Sequence, residues 1–117
     1  MAKIRIKDLL LRTYIGFNPE ELINKQDVII NVEIEARIPE KALRTDEPEG
    51  IYDYKVVTKE IIRYVQEGRF KLLEVLTQNL LSLIMNDERV IWAKVEVDKP
   101  HALRFAKSVS FEMEAHR

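Results

Sequence analysis

The residues able to do chemistry in this chain fall in a few short stretches. The run Asp98-Lys99-Pro100-His101-Ala102-Leu103-Arg104 follows an alternating, strand-like segment and joins an amine, an imidazole and a guanidinium. A loop at a strand end is where a rigid scaffold presents reactive groups. A solvated connection turning at Pro100 accounts for the same composition. Glu74 stands in Leu72-Leu73-Glu74-Val75-Leu76, at the predicted start of a helix. The helix dipole favours a carboxylate there, and a carboxylate can also accept two parallel hydrogen bonds from paired N–H donors. Tyr54 precedes another predicted helix, as a packing residue or as a proton donor and acceptor. Glu21 is one of two adjacent glutamates in a loop at Asn18-Pro19-Glu20-Glu21, which reads as a turn or a short helical start, and solvation is its default.

Other chemistries are poorly served. There are 2 histidines, His101 and His116, and 0 cysteines. A three-histidine zinc site within one chain is therefore impossible, and thiolate ligands, thiol nucleophiles and disulfides are absent. Phosphate-binding glycine motifs and a nucleophile-elbow serine are also missing.

Hydrophobic periodicity predicts the elements that must position these groups. Ile4 and Ile6 alternate with basic residues, and the strand pattern runs on through 9–15 to Gly16. Val28, Ile30, Val32, Ile34, Ala36 and Ile38 alternate with Ile29, Asn31, Glu33, Glu35 and Arg37, a long strand with one apolar face. Residues 40–53, with Pro48 and Gly50, read as a loop. Helical spacing follows over 55–67, ending at Gly68, and again over 72–85. Two further strands centre on 91–97 and 109–115. The order is ββααββ, and it predicts an α+β domain spanning 1–117: a four-stranded antiparallel sheet with two helices on its apolar face.

Composition narrows the class. With 19 basic and 20 acidic residues the formal charge is −1, which excludes a general nucleic-acid coat or an anionic-membrane binder. No apolar run is long enough to span a membrane, and Met1-Ala2-Lys3-Ile4 opens without a signal core. A reducing cytoplasm fits the cysteine count. A chain this short has little room for an internal cavity, so an active site between subunits is the economical arrangement.

Together these stretches resemble the dihydroneopterin aldolase family, and within it the dihydroneopterin triphosphate 2′-epimerase branch. The resemblance runs over nearly the whole chain. It rests on Ile4-Arg5-Ile6-Lys7, Leu11-Arg12-Thr13-Tyr14-Ile15-Gly16, Lys25-Gln26-Asp27, Tyr54, Val57-Thr58-Lys59, Arg69-Phe70, Leu72-Leu73-Glu74, Leu76-Thr77-Gln78 and, most specifically, Val95-Glu96-Val97 continuing through Asp98 to Arg104. The resemblance implies a tunnelling fold, rings of four subunits stacked as a homo-octamer, and pterin pockets between adjacent chains. It implies no metal and no cofactor.

By resemblance Glu74 grips the pterin's 2-amino and N3–H edge, with Leu73 beside it. Lys99 is the catalytic lysine, Glu21 the carboxylate near it, and Tyr54 a catalytic phenol reaching the pocket from the neighbouring chain. His101 and Arg104, together with Arg12, are expected to meet the substrate's phosphates. Asp53 departs from the asparagine that the epimerase branch carries beside the tyrosine, and so bears on substrate preference. The expected reaction is inversion at C2′ of dihydroneopterin triphosphate. The alternatives are cleavage of dihydroneopterin to 6-hydroxymethyl-dihydropterin and glycolaldehyde, or pterin or purine binding without turnover.

Overall fold

A computed structural model describes residues 2–117. The chain forms β1 (Ala2–Ile15), α1 (Pro19–Ile23), β2 (Gln26–Ala36), α2 (Glu40–Thr45), α3 (Tyr54–Glu67), β3 (Arg69–Phe70), α4 (Leu73–Met85), β4 (Val90–Lys99) and β5 (Val109–His116). The alternation predicted for β2 is realised: Val28, Ile30, Val32, Ile34 and Ala36 are all buried, while the residues between them are half-exposed. β4 repeats the pattern with Val90, Ala93, Val95 and Val97. α3 meets this face with Val57, Ile61 and Val65, and α4 with Leu76, Leu80, Leu81 and Ile84. Each such side chain taken fully out of water contributes about 1.5–3 kcal/mol. α3 packs on β1, and α4 packs on β4 and β5.

The sheet departs from expectation in one respect that matters for the site. It has five strands in the order β3-β1-β2-β4-β5, not four. The four long strands are antiparallel, but β3 is a two-residue strand running parallel to the end of β1, with Tyr14 opposite Arg69 and Ile15 opposite Phe70. Two residues are too few to show a period, so β3 left no pattern to read. The Gly16 N–H extends this seam by donating to the Phe70 carbonyl at 2.8 Å. Thr13, buried within β1, donates its hydroxyl to the Val65 carbonyl at 2.6 Å and so ties the end of α3 to the same strand.

Two short helices add to the predicted order. α1 makes about one and a half turns out of the turn or short helical start read at 18–21, and α2 corrects the loop expected over 40–53. Neither buries a residue, so no apolar stripe marked them. β2 ends at Ala36, which leaves Ile38 beyond the strand.

The sheet's other face is polar. Glu33 on β2 lies within ion-pair range of Lys3 and Arg5 on β1 and of Lys94 on β4, and Lys94 also approaches Glu112 on β5. Among the described residues no helix is long and apolar enough to cross a membrane.

Candidate active site

The site begins where β1 ends. Gly16 adopts φ +125°, a conformation L side chains rarely take, and the chain turns there into α1. Asn18 precedes α1, Pro19 opens it, and Glu21 falls at its third position. Glu21 folds back across the turn: its Oε1 accepts the Asn18 N–H at 3.3 Å. A Cβ at position 16 would overlap the Glu21 carboxyl. The absence of a side chain on Gly16 therefore makes room for this carboxylate.

Lys99 is the last residue of β4, not a loop residue, and a strand end fixes its backbone. Its Nζ donates to Glu21 Oε2 at 2.6 Å, with both side chains mostly shielded from water. The same Oε2 accepts from Gln26 Nε2 at 3.2 Å, and Gln26 Nε2 also donates to the Ile15 carbonyl at 2.9 Å. Gln26, the first residue of β2, was not singled out from sequence. It lies 5 residues from Glu21 on a different element, and only the fold reveals the contact. The Lys99 hydrogen bond, aided by those from Gln26 and the Asn18 N–H, holds the Glu21 carboxyl below its ordinary 4.5 despite the opposing effect of burial.

A lowered folded-state pKa means that this interaction stabilises the fold fully above the unfolded value and loses its effect as pH falls through the folded one. Native protein should therefore exceed Glu21→Gln in stability at neutral pH. The gap should close as the solution is acidified below 4.5. Urea denaturation at a series of pH values measures it, and a gap that widened on acidification would contradict the pairing. Gly16→Ala should disrupt the same corner. Strained backbone of this kind costs about 1–3 kcal/mol, and the displaced carboxylate would release Lys99. Thermal denaturation reads the first effect and turnover the second.

Beside the pair lies an open groove of about 590 Å³, bounded by Asn18, Pro19, Glu21, Asn24, Gln26 and His101. Arg12 stands nearby on β1. Its Nη1 donates to Asp27 Oδ1 at 3.0 Å and its Nη2 to the Lys25 carbonyl at 2.9 Å. His101 Nε2 is 3.7 Å from Asp27 Oδ2. Arg104 is not drawn into this cluster; it lies in the exposed loop after β4, its guanidinium 5.6 Å from the centre of the Phe105 ring.

The remaining predicted residues sit at helix starts. Leu73 and Glu74 are the first two residues of α4, with Leu72 as its cap and no side chain capping it. Glu74 is exposed, and the first-turn N–H groups beside it have no helical partners. β3 brings this helix start next to the end of β1, since Phe70 is bonded to Gly16 and α4 opens three residues later. Tyr54 is the first residue of α3 and is 55% exposed. Asp53 caps that helix by accepting the Lys55 N–H at 2.9 Å. Asp and Asn serve equally in that position, so the departure noted at Asp53 leaves the helix start unchanged.

The segment before α3 is anchored by Tyr52 and Arg89. Tyr52 is buried, and desolvation pushes its hydroxyl up to about 12. Arg89 packs over its ring, donates to the Ile51 carbonyl at 2.8 Å and pairs with Asp87 at 2.7 Å. Among the described residues no hydrogen bond joins Tyr54 or Glu74 to the Lys99–Glu21 pair. A single chain thus presents the Lys99–Glu21 pair, the Glu74 carboxylate and the exposed Tyr54 phenol at three separate places.

The α+β fold thus holds a shielded amine and carboxylate, groups of the kind that exchange protons, at a strand end beside an open groove. The chain belongs to the dihydroneopterin aldolase (FolB) family, whose model matches residues 4–114. It is 52% identical over 117 residues to the dihydroneopterin triphosphate 2′-epimerase of Pseudomonas aeruginosa, covering 100% of this chain and 94% of that one. It is 46% identical over 116 residues to the Escherichia coli K12 protein of the same name, covering 99% and 96%. The crystal structure of a Vibrio cholerae protein assigned to dihydroneopterin aldolase superposes with a TM-score of 0.92 at 29% identity, covering 100% of this chain and 98% of that one.

Proposed function

We propose that the chain is a single pterin-binding domain that inverts C2′ of 7,8-dihydroneopterin triphosphate, giving the monapterin epimer by retro-aldol cleavage and re-addition. The observation that carries this reading is the 2.6 Å contact between Lys99 Nζ and Glu21 Oε2 beside a groove lined by Gln26 and His101. The similarity to proteins named as epimerases supports it.

Cleaving C1′–C2′ leaves an electron pair that must be accommodated. The dihydropterin's own N5=C6 imine accepts it, forming an enamine across C6 and C1′, so the protein supplies positioning and proton transfer alone. A base, Lys99 directly or through water with Tyr54 assisting, takes the 2′-hydroxyl proton. The C1′–C2′ bond breaks, C2′ leaves as an aldehyde, and N5 receives a proton from Lys99. Glu21 keeps the lysine aimed and favours its return to the ammonium form. If the aldehyde turns over before re-adding, C2′ is inverted. If C1′ is protonated first, the products are 6-hydroxymethyl-dihydropterin and the free aldehyde. A grip on the phosphates by Arg12, His101 and Arg104 holds the departing fragment and so favours return.

Glu74 accepts the 2-amino and N3 hydrogens of the pterin, and the Leu73 N–H at the start of α4 is a donor for the 4-oxo oxygen. Tyr54 reaches this pocket from a neighbouring subunit. Its exposure supports that arrangement, as does the presence of Leu72, Val75 and Val56 among the exposed apolar residues. The radius of gyration is 15.8 Å against about 13 Å for a compact chain of this length, which also fits a protomer shaped by its neighbours. In the assembly, a homo-octamer of two rings in the cytoplasm, the polar face around Glu33 lines the central channel.

The test is to incubate the protein separately with dihydroneopterin and with its triphosphate and to resolve the pterins by chromatography. The expected result is the monapterin epimer from the triphosphate at a higher rate than cleavage of dihydroneopterin. Absence of any C2′ epimer would overturn the reading, and cleavage products alone would establish the aldolase alternative.

A further inference from the structure

Asp27 follows Gln26 on β2 and is the cross-strand partner of Arg12. Its carboxylate is divided between two cationic groups: Oδ1 accepts from Arg12 and Oδ2 faces His101. Arg12 is also held by the Lys25 carbonyl. Two of the five guanidinium N–H donors are thereby engaged. The Arg12 side chain is still 62% exposed and that of His101 76%. The position between guanidinium and imidazole, where an anion would be drawn, is already taken by a carboxylate of the chain itself.

Building on the proposed phosphorylated substrate, we propose that Asp27 is a specificity-determining residue: an internal counter-anion that orients Arg12 and His101 while keeping them from capturing polyphosphates that lack a pterin. The β1–β2 ladder keeps the Asp27 backbone opposite Arg12, so its carboxylate stays within reach of the guanidinium. The unit carries at most one net positive charge, with the imidazole protonated. A ligand held only through its phosphates must approach against the Asp27 carboxylate. A ligand whose ring is also anchored has further binding energy to overcome that repulsion. Discrimination is a difference of affinities, and a repulsive group placed against the wrong ligand achieves it without improving the right one. Because the cluster is exposed, the effect is screened by salt.

Inorganic tripolyphosphate is the probe. Its inhibition constant is measured against turnover of dihydroneopterin triphosphate for the native enzyme, Asp27→Asn and Asp27→Ser, each relative to its own uninhibited rate. Removing the charge should lower the constant about tenfold or more at low ionic strength, and the difference should shrink at about 0.5 M salt. Arg12→Gln added to Asp27→Asn should restore the native constant. Equal constants in native and Asp27 variants, with epimer still formed, would overturn the role of Asp27 alone. A native enzyme that forms no epimer would overturn the proposed function. The tripolyphosphate comparison would then be read by calorimetric titration, with tighter binding to the variants still supporting the role.

Discussion

Lys99→Ala should abolish both epimer and cleavage product while leaving pterin affinity within a few-fold of native. General acid–base groups contribute about 10²–10⁴-fold to turnover, so a loss of that order in kcat is expected. The two effects separate because Lys99 sits at the end of β4, whereas the proposed anchor Glu74 belongs to α4. Lys99→Arg sharpens the test. A guanidinium keeps the positive charge and can pair with Glu21, but it does not give up its proton. It should therefore be as inactive as alanine. Recovery of activity in Lys99→Arg would show that charge alone suffices and would refute proton shuttling at this position. Chromatography of the pterins reads turnover, and pterin fluorescence titration reads binding.

Glu74→Ala should have the opposite signature: binding collapses and the fold persists. A carboxylate accepting two hydrogen bonds from the pterin edge makes charge-assisted contacts of about 1.5–3 kcal/mol each. Loss of both weakens binding by about 3 kcal/mol or more, which is at least about 10²-fold. Glu74→Gln should recover only part of the loss, since its amide keeps one neutral accepting oxygen and sets its NH₂ against the second donor. Glu74 is exposed in the first turn of α4, where a carboxylate's interaction with the helix end is worth only about 0.3–1 kcal/mol. The melting temperature should therefore barely move. A Glu74→Ala protein that bound pterin normally would remove the anchor from the scheme.

What could be read from sequence followed the periodicity of long elements. β2 and β4 alternate because one face packs and the other meets solvent, and α3 and α4 carry stripes that cover that packed face. Glu74 was legible as a helix-start carboxylate, whereas Lys99 was read in the loop after a strand and proves to be the strand's last residue. Elements too short to show a period were at most half legible: β3, with 2 residues, left no signal, and α1, with 5 and nothing buried, showed only the turn or helical start at its first residues. Yet α1 carries Glu21 to a lysine 78 positions away in the chain. Locally that glutamate differs from its neighbour Glu20 only in standing three residues after the cap Asn18; its contact with the lysine is supplied by the fold. Gln26 and Asp27 belong to a stretch that carries the resemblance, but their contacts were hidden for the same reason. They open a strand whose pattern is set by Val28 and Ile30, and their partners stand on β1, on α1 and in the turn after β4.

The seam between β3 and β1 has a bearing on affinity that no ligand-touching group reveals. Two strand pairings and the Gly16 amide bond to Phe70 join the segment leading into α4 to a ladder that is otherwise complete without it. Local opening of so small a seam needs far less free energy than global unfolding. It would detach the helix start that bears Glu74 while the four long strands stay intact. With Glu74 as the proposed anchor, occupancy of the pocket and closure of the seam are thermodynamically linked, and a substitution that steadies residues 69–70 should tighten the complex from a distance.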